Sequence, residues 1–412
     1  MLIHWLWLST RPAVSDRMRS LLLQHFQDAE DIYFADEQAF SVLDGISQEA
    51  VAALQDKNLA QAEQLMEECN RKHIHILTYR DAAYPNRLRN IADPPVVLYY
   101  KGRLPDFDGS PVIAIVGTRS ASPYGLTVAK RMGSQIASCG GLVLSGMAYG
   151  IDGMAMRGAL SAGAPVVGVL GCGVDVVYPL SNRALFADTE QCGCILSEFV
   201  PGTPPSKWNF PKRNRLLSGL SCGVLVVEAP ERSGALITAD RAAEQGRDVF
   251  VVPGNIDMPS CAGSNALLRD GAIAVSSGWD VLDEYAALFP DKIQRNTTPS
   301  RQTVYPDEVE KMAQPEPLKV AEPVEKVDRN RKKNKKEIDK SKTSQYSDAE
   351  TKTFVLSAEE TRITEMIRGG TELVDDIIAQ TGMPAGAVLA VLTMLEIKGV
   401  VTRLPGKRVK MK

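Results

Sequence analysis

Six short runs of apolar residues in the middle of the chain constrain its fold more than any other feature of the sequence. The runs alternate with stretches of helical apolar spacing, such as residues 124–138 and 235–245. This alternation is typical of parallel strands that helices cover on both faces. We therefore expect an α/β fold, an extended Rossmann-like, doubly wound parallel sheet with right-handed crossovers. The predicted strands are residues 112–116, 142–145, 166–170, 194–197, 223–228 and 248–252.

The segment before this sheet predicts a helical N-terminal domain. Residues 17–26 and 48–70 are amphipathic, and Ser47 is well placed as the N-cap of a helix. Such a pattern occurs in helix-hairpin-helix (SAM-like) DNA binders and equally in ordinary small helical domains. The sequence leaves both interpretations open.

The segments after the sheet predict a linker and a winged helix. Residues 325–342 hold nine Lys and Arg against four Asp and Glu, which predicts a disordered linker whose basic segment is either only solvated or holds nucleic acid weakly. Three helical stretches and a two-stranded wing then follow, an order typical of winged helices, which bind DNA or other proteins. The predicted domains are 1–70 (helical), 71–290 (Rossmann-like), 291–357 (linker) and 358–412 (winged helix).

Charge and composition narrow the possible partners. The net charge is −3, so any binding of nucleic acid has to come from a local basic site. No apolar run approaches the roughly 18 residues of a membrane span, and the first residues lack the basic start of a signal peptide. Seven cysteines without framework spacing fit a reducing compartment. We expect a cytoplasmic protein with no membrane partner, no metal site and no cofactor.

Loops that follow the predicted strands carry the candidate binding residues. The first contains Gly117, Arg119 and Ser120, at a strand end where ligands bind in such sheets and next to a helix N-terminus that suits a phosphate. The second contains Ser145, Gly146 and Asp152. Asp152 could be a catalytic acid, but its place before a helix favours an N-cap.

Residues 207–215, interpreted as a loop, are the most informative stretch. Four cations and two aromatic residues lie within nine positions. Cations hold phosphates and aromatic faces stack on unpaired bases, so the combination favours single strands over duplexes. We expect Phe210, with Trp208 as an alternative, to stack on a base. Ser233, Gly234 and Thr238 then open a further helix that could bind a phosphate.

These loops, in this order, resemble the DNA-processing protein A (DprA, or Smf) family. The resemblance is strong over residues 72–285 and rests on Tyr84-Pro85, Gly117-Thr118-Arg119, Ser145 to Asp152, Phe210 to Arg215, Ser233-Gly234-Ala235 and Val252-Pro253-Gly254. One departure is Met156, where the family commonly has a histidine. Loops and resemblance together predict these DNA-binding residues: Arg119, Ser120, Ser145, Gly146, Lys207, Phe210, Lys212, Arg213, Asn214, Arg215 and Gly234.

The resemblance implies a function that the residues alone do not. Members of the family bind incoming single-stranded DNA, protect it and load RecA on it during natural transformation. They also form dimers, which we expect here to be a homodimer through the Rossmann-like domain.

The alternative is a nucleotide-processing enzyme, such as a phosphoribohydrolase, on a related sheet. All four histidines precede residue 80, and no Walker, His-Glu-x-x-His or Gly-x-Ser-x-Gly motif occurs. A carboxylate mechanism that uses Asp152, Glu198 or Glu228 stays open. We expect a binding protein with no catalytic residues.

Overall fold

The structure, a computed structural model, describes most of the chain in two compact units that are treated separately below. One unit contains residues 1–295, and every described residue of the other lies beyond residue 357. Within the second unit the structure describes residues 358–369, 371, 373–381, 383, 388, 391–392, 394–396, 400–404 and 408–411. The predicted linker at 291–357, including its basic segment, lies almost entirely outside the described residues.

A nine-stranded sheet forms the centre of residues 1–295. The six predicted apolar runs all form strands, β3 to β8, and these are largely buried because helices cover both faces. The spatial order is β1-β2-β6-β5-β4-β3-β7-β8-β9. The strands are β1 (His75–Thr78), β2 (Val97–Gly102), β3 (Val112–Val116), β4 (Leu142–Ser145), β5 (Val166–Val169), β6 (Cys194–Ser197), β7 (Gly223–Val226), β8 (Asp248–Val251) and β9 (Ile273–Ala274).

In the spatial order β6-β5-β4-β3-β7-β8-β9, every pair of neighbouring strands is parallel. This confirms the predicted α/β, Rossmann-like class. Two strands that the sequence analysis did not predict extend one edge, where β2 runs antiparallel to both β1 and β6. The direction of winding reverses between β3 and β7, which are neighbours although three strands separate them in the chain. Connections on either side of such a switch point diverge and leave a crevice at the carboxyl ends of the strands.

Fourteen α-helices accompany this sheet within residues 1–295. Six of them precede it, and Ser47 caps the fifth by accepting a hydrogen bond from the N–H of Ala50, as predicted. The helices are α1 (Leu2–Thr10), α2 (Asp16–His25), α3 (Ala29–Phe34), α4 (Glu37–Ser41), α5 (Gln48–Gln55), α6 (Ala60–Arg71), α7 (Asn86–Arg89), α8 (Pro123–Ser138), α9 (Ile151–Ser161), α10 (Arg183–Cys192), α11 (Asn209–Leu220), α12 (Gly234–Glu244), α13 (Ala262–Arg269) and α14 (Gly278–Asp283).

The N-terminal helices share one apolar core with the sheet. Buried Trp5 and Trp7 of α1 belong to the same cluster as Tyr99 of β2 and Ile113 of β3. The helices α1 to α6 are therefore packed against the sheet and not merely tethered to it.

The second unit has the element order predicted for a winged helix. It contains α15 (Ala358–Arg368), α16 (Val374–Thr381), helical residues between 388 and 396, and an antiparallel hairpin of β10 (Val401–Leu404) and β11 (Arg408–Met411). Ile363, Ile377, Leu392 and Val409 form its own small core. Every helix in the described residues is too short or too polar to cross a membrane.

Candidate nucleic-acid interface

A cleft of about 380 Å³ opens at the carboxyl ends of β3 and β7, at the switch point of the sheet. The loops after β3, β4 and β7 and the first turns of α11 and α12 form its walls. Its lining includes Thr118, Arg119, Asp152, Lys207, Phe210, Arg213, Asn214, Arg232, Ser233, Gly234 and Thr238. Six of the eleven predicted DNA-binding residues therefore meet in one cavity.

The loop after β3 is held by Glu228 at the end of β7. The Thr118 N–H donates to the carbonyl of Glu228 at 2.7 Å, and Ser122 donates to the Glu228 carboxylate through its N–H and, at 2.7 Å, through its hydroxyl. Ser122 also caps α8 by accepting from the Gly125 N–H. The sequence predicted a phosphate at this helix N-terminus, but Pro123 lacks an N–H and the Gly125 N–H is already bonded to Ser122, which leaves fewer donors for a phosphate. Arg119 is the cation that this loop brings to the cleft.

Predicted residues of the loop after β4 lie beneath the cleft. The Ser145 hydroxyl is fully buried and donates to the Ile115 carbonyl, so it does not line the cleft. Gly146 contacts the Arg213 guanidinium so closely that a Cβ there would lie 2.4 Å from Arg213 Nη2. These residues support the floor of the cleft.

The predicted N-cap role of Asp152 is wrong. The N-cap of α9 is Gly150, whose φ of +72° favours glycine, and Asp152 lies one residue inside the helix. Its carboxylate is buried in the lining of the cleft, near the Arg213 and Arg119 guanidinium groups. Burial raises the pKa of Asp152, against the opposing effect of the Arg213 and Arg119 guanidinium groups.

The predicted loop at 207–215 is also wrong, because α11 begins at Asn209. Pro211 does not prevent this, since a proline in the first turn loses an N–H that has no partner within the helix. The helix sorts the side chains by face. Phe210, Arg213, Asn214 and Leu217, spaced i, i+3, i+4 and i+7, all line the cleft.

The cleft face of α11 joins a cation to an aromatic ring. The Arg119 guanidinium lies over the ring of half-buried Phe210, with 4.7 Å between the guanidinium carbon and the ring centroid. The other support of that ring is Tyr178, which stacks on it at 5.6 Å. The Phe210 ring is thereby fixed at the wall of the cleft, where a base could contact it.

Arg213 places a charge at the floor of the cleft. Its Nη1 donates to the carbonyls of Gly146 (3.0 Å) and Val169, and its Nε donates to Asn214. Burial lowers the pKa of Arg213 to about 10, so the group is still a cation at neutral pH. Asn214 in turn donates to the Gly234 carbonyl, which joins α11 to α12.

Lys212 and Arg215 face away from the cleft, contrary to their predicted place beside the other DNA-binding residues. Arg215 is buried and donates to Glu198 at 2.5 Å, with Asp93 3.1 Å and Asp16 3.4 Å from its nitrogens. Lys212 lies 2.7 Å from Asp16. These carboxylates compensate both cations, so the two residues bind the N-terminal helices to the sheet.

The sequence analysis did not predict that Arg232 belongs to the cleft. It is exposed and lines the cleft immediately before Ser233, the N-cap of α12. No acidic residue lies in the first turn of α12, and nothing lies within 4 Å of the position that a Gly234 side chain would occupy. A cation one residue before a predicted N-cap, in a loop after a parallel strand, was the signal that could have identified it.

The electrostatics of the cleft favour an anion. Four cations line it (Arg119, Lys207, Arg213 and Arg232) against the single carboxylate of Asp152. Arg119, Lys207 and Arg232 form no ion pair with any residue that the structure describes. Ser120, the remaining predicted residue, is exposed and does not line the cleft.

Two carboxylates that could have served an enzyme are engaged elsewhere. Glu228 holds Ser122, and Glu198 holds Arg215 outside the cleft. Asp152 is the acidic side chain of the cleft lining, and its carboxylate is buried near the Arg213 guanidinium group.

Comparisons with known proteins point to one family. The family model described as DNA recombination-mediator protein A matches residues 75–286, and a model of the DprA winged helix domain matches residues 347–407. Protein Smf of Synechocystis sp. is 32% identical, over 98% of this chain and 97% of that protein. The DNA processing protein DprA of Streptococcus pneumoniae is 44% identical over 50% of this chain and 72% of its own. An X-ray structure of that DprA superposes with a TM-score of 0.59 and 34% identity, covering 68% of this chain and 96% of its own.

Proposed function

The chain belongs to the DNA recombination-mediator protein A (DprA) family, and we propose that it binds single-stranded DNA in the cleft at the switch point of its sheet. One observation carries the proposal. The ring of Phe210 contacts Arg119 and Tyr178 at the wall of a cavity in which Lys207 and Arg232 have no carboxylate partner among the described residues. Cations for phosphates beside an aromatic face for a base are the combination that single strands require.

The shape of the cleft supports a single strand over a duplex. Phe210 is half-buried inside a cavity of about 380 Å³, so a base has to leave any stack to reach it. Paired bases keep their faces within the duplex and are not available for such a contact. The net charge of −3 adds no general attraction for duplex phosphates, so affinity has to arise within the cleft.

Family membership suggests what the binding is for. The relatives from Bacillus subtilis and Streptococcus pneumoniae are named DNA processing protein DprA. We propose that this chain acts in the cytoplasm during natural transformation, where it protects incoming single strands and loads RecA on them. We also propose that it works as a homodimer through the Rossmann-like domain. The family supports these steps, which go beyond the chemistry of the cleft.

We further propose that the cleft binds without catalysing a reaction. The placement of Glu198 and Glu228 supports this, because each carboxylate is held by a hydrogen-bond partner of the chain itself and neither lines the cleft. Incubation of the protein with nucleoside monophosphates tests the proposal. If the native chain releases a free base and the Glu228→Ala variant does not, the chain is a phosphoribohydrolase and this proposal is wrong.

A titration of matched single-stranded and double-stranded oligonucleotides at two salt concentrations tests the binding function. We expect tighter binding of the single strand and a loss of affinity as salt rises, because phosphate contacts release counterions. Equal or tighter binding of the duplex would contradict the proposal. RecA loading is tested separately, by whether RecA assembles faster on strands that the protein already holds.

A further inference from the structure

Trp208 is the most exposed aromatic residue near the cleft, and its position calls for an explanation. It is 76% exposed, whereas Trp5 and Trp7 are 3% and 0% exposed. Leaving so large an apolar side chain in water forgoes the stabilisation that burial would bring. Its backbone is nevertheless held in a turn, since Asn209 donates to the Ser206 carbonyl and the Trp208 N–H donates to the Ser206 hydroxyl.

A cation connects Trp208 to the cleft. Lys207 lines the cleft, and its ammonium nitrogen lies 5.0 Å from the centroid of the Trp208 ring. With 76% of the residue exposed, most of the ring surface is free to receive a planar group. A phosphate on Lys207 would therefore bring the base of the same or the next nucleotide to this ring.

Helix geometry separates this ring from the ring of Phe210. The two residues are two positions apart at the start of α11, and residues at that spacing do not face each other. The rings cannot enclose one base between them. Their backbones are at most about 7 Å apart, which is within the reach of successive nucleotides.

We infer that Trp208 is a second base-stacking position, so that the chain holds at least two consecutive nucleotides, one on Phe210 inside the cleft and one on Trp208 at its rim, with Lys207 on the intervening phosphate. This inference rests on the proposed function and adds the extent and path of the strand. The group that stacks on Trp208 is an unpaired base of the bound strand. The adjacent Lys207 favours an anionic partner, and the strand can continue from Trp208 into the cleft.

Tryptophan emission measured together with fluorescence anisotropy of a labelled oligothymidylate tests this inference on the full chain. We expect the strand to quench emission in the native protein and the quenching to be largely lost in Trp208→Phe, which keeps an aromatic face but removes the indole. Trp279→Phe, the matched control at the half-buried tryptophan beside Arg295, should leave the quenching in place.

The affinities of variants at Trp208 and Lys207 separate base stacking from apolar contact and from charge. Trp208→Ala should weaken binding roughly 5- to 150-fold, the range for one base–aromatic stack, and should leave the salt dependence unchanged because no charge is removed. Trp208→Leu, which keeps apolar area without a π face, should lose nearly as much. Lys207→Gln should instead reduce the salt dependence.

The outcomes distinguish this inference from the proposed function. If anisotropy shows binding but the emission of Trp208 is unaffected and Trp208→Ala binds normally, the second position does not exist and the cleft function stands. If no single strand binds at all, the proposed function fails and the inference fails with it. An emission change that follows protein concentration without DNA would assign Trp208 to a contact between copies and overturn the inference.

Discussion

Arg119 and Arg215 carry the same guanidinium group, and the sequence predicts the same phosphate-binding role for both. Arg119 lies over the Phe210 ring and has no carboxylate partner among the described residues. Arg215 is buried among Glu198, Asp16 and Asp93. At the scale of the residue, the partners of a cation therefore decide whether it is available to DNA.

The salt dependence of binding should separate available cations from compensated ones. Arg119→Gln should reduce the slope of log affinity against log salt by roughly 0.7, because one phosphate of the strand is no longer neutralised. Lys212→Gln, the matched control, should leave the slope unchanged, because Lys212 is paired with Asp16. Binding titrations over a salt series measure both slopes. A larger change of slope for Lys212→Gln than for Arg119→Gln would contradict the assignment.

Phe210 supplies the only stacking face that the described part of the chain places within the cleft. Phe210→Ala should weaken single-strand binding by roughly 5- to 150-fold, since a base–aromatic stack is worth about 1–3 kcal/mol. Phe210→Tyr keeps the ring and should retain most of the affinity. Anisotropy titrations with a labelled oligonucleotide compare the three proteins. Equal affinity of Phe210→Ala and the native chain would exclude stacking on this ring.

At the scale of the element, α11 has two working faces. One face lines the cleft with Phe210, Arg213 and Asn214. The other face uses Lys212 and Arg215 to hold the carboxylates of Asp16 in α2 and of Glu198 after β6. Because a helix is rigid over three turns, the ion pairs on one face help to fix the position of the cleft residues on the other.

Removing the carboxylate of α2 should loosen this attachment. Burial by itself would raise the pKa of Asp16, but Lys212 and Arg215 outweigh burial and hold the pKa below its usual value of 3.8. The ionised carboxylate therefore contributes stability that is fully present above pH 3.8 and is lost as the pH falls through the lower pKa of the folded state. Asp16→Asn should reduce the free energy of unfolding at pH 7 by about 1–3 kcal/mol.

Urea unfolding at neutral and acidic pH measures this contribution. The difference between the Asp16→Asn variant and the native chain should shrink as the pH approaches the folded pKa. Glu244→Gln, which breaks the exposed pair with Arg241, should change stability little at either pH. A difference for Asp16→Asn that is constant down to strongly acidic pH would show that the ion pair is not its source.

At the scale of the whole molecule, the two compact units have separate apolar cores. The clusters of the first unit contain only residues up to 293, and the cluster of the second contains only residues from 363 to 411. Every residue that lines the cleft belongs to the first unit. We therefore expect the first unit to fold by itself and to contain the residues needed for the proposed strand binding.

A chain that ends at residue 295 should fold and bind single strands with unchanged affinity. Circular dichroism melting reports its folding, and the oligonucleotide titration reports its binding. The full chain measured in the same buffer is the control. A folded fragment with markedly weaker binding would assign a DNA contact to residues 296–412 and would direct attention to the basic segment at 325–342.

The order of residues along the chain was enough to predict the sheet, because buried parallel strands need continuous apolar runs and these are visible at 112–116 and in the five later segments. It also predicted which loops meet, since the carboxyl ends of parallel strands share one edge. Which cations face the cleft became apparent only from the packing of the folded chain. Lys212 and Arg213 are neighbours in the chain, but one turns toward Asp16 of α2, nearly two hundred residues earlier, and the other toward Gly146. No local pattern encodes such pairings, because the partners become neighbours only when α2, the loop after β4 and α11 pack together.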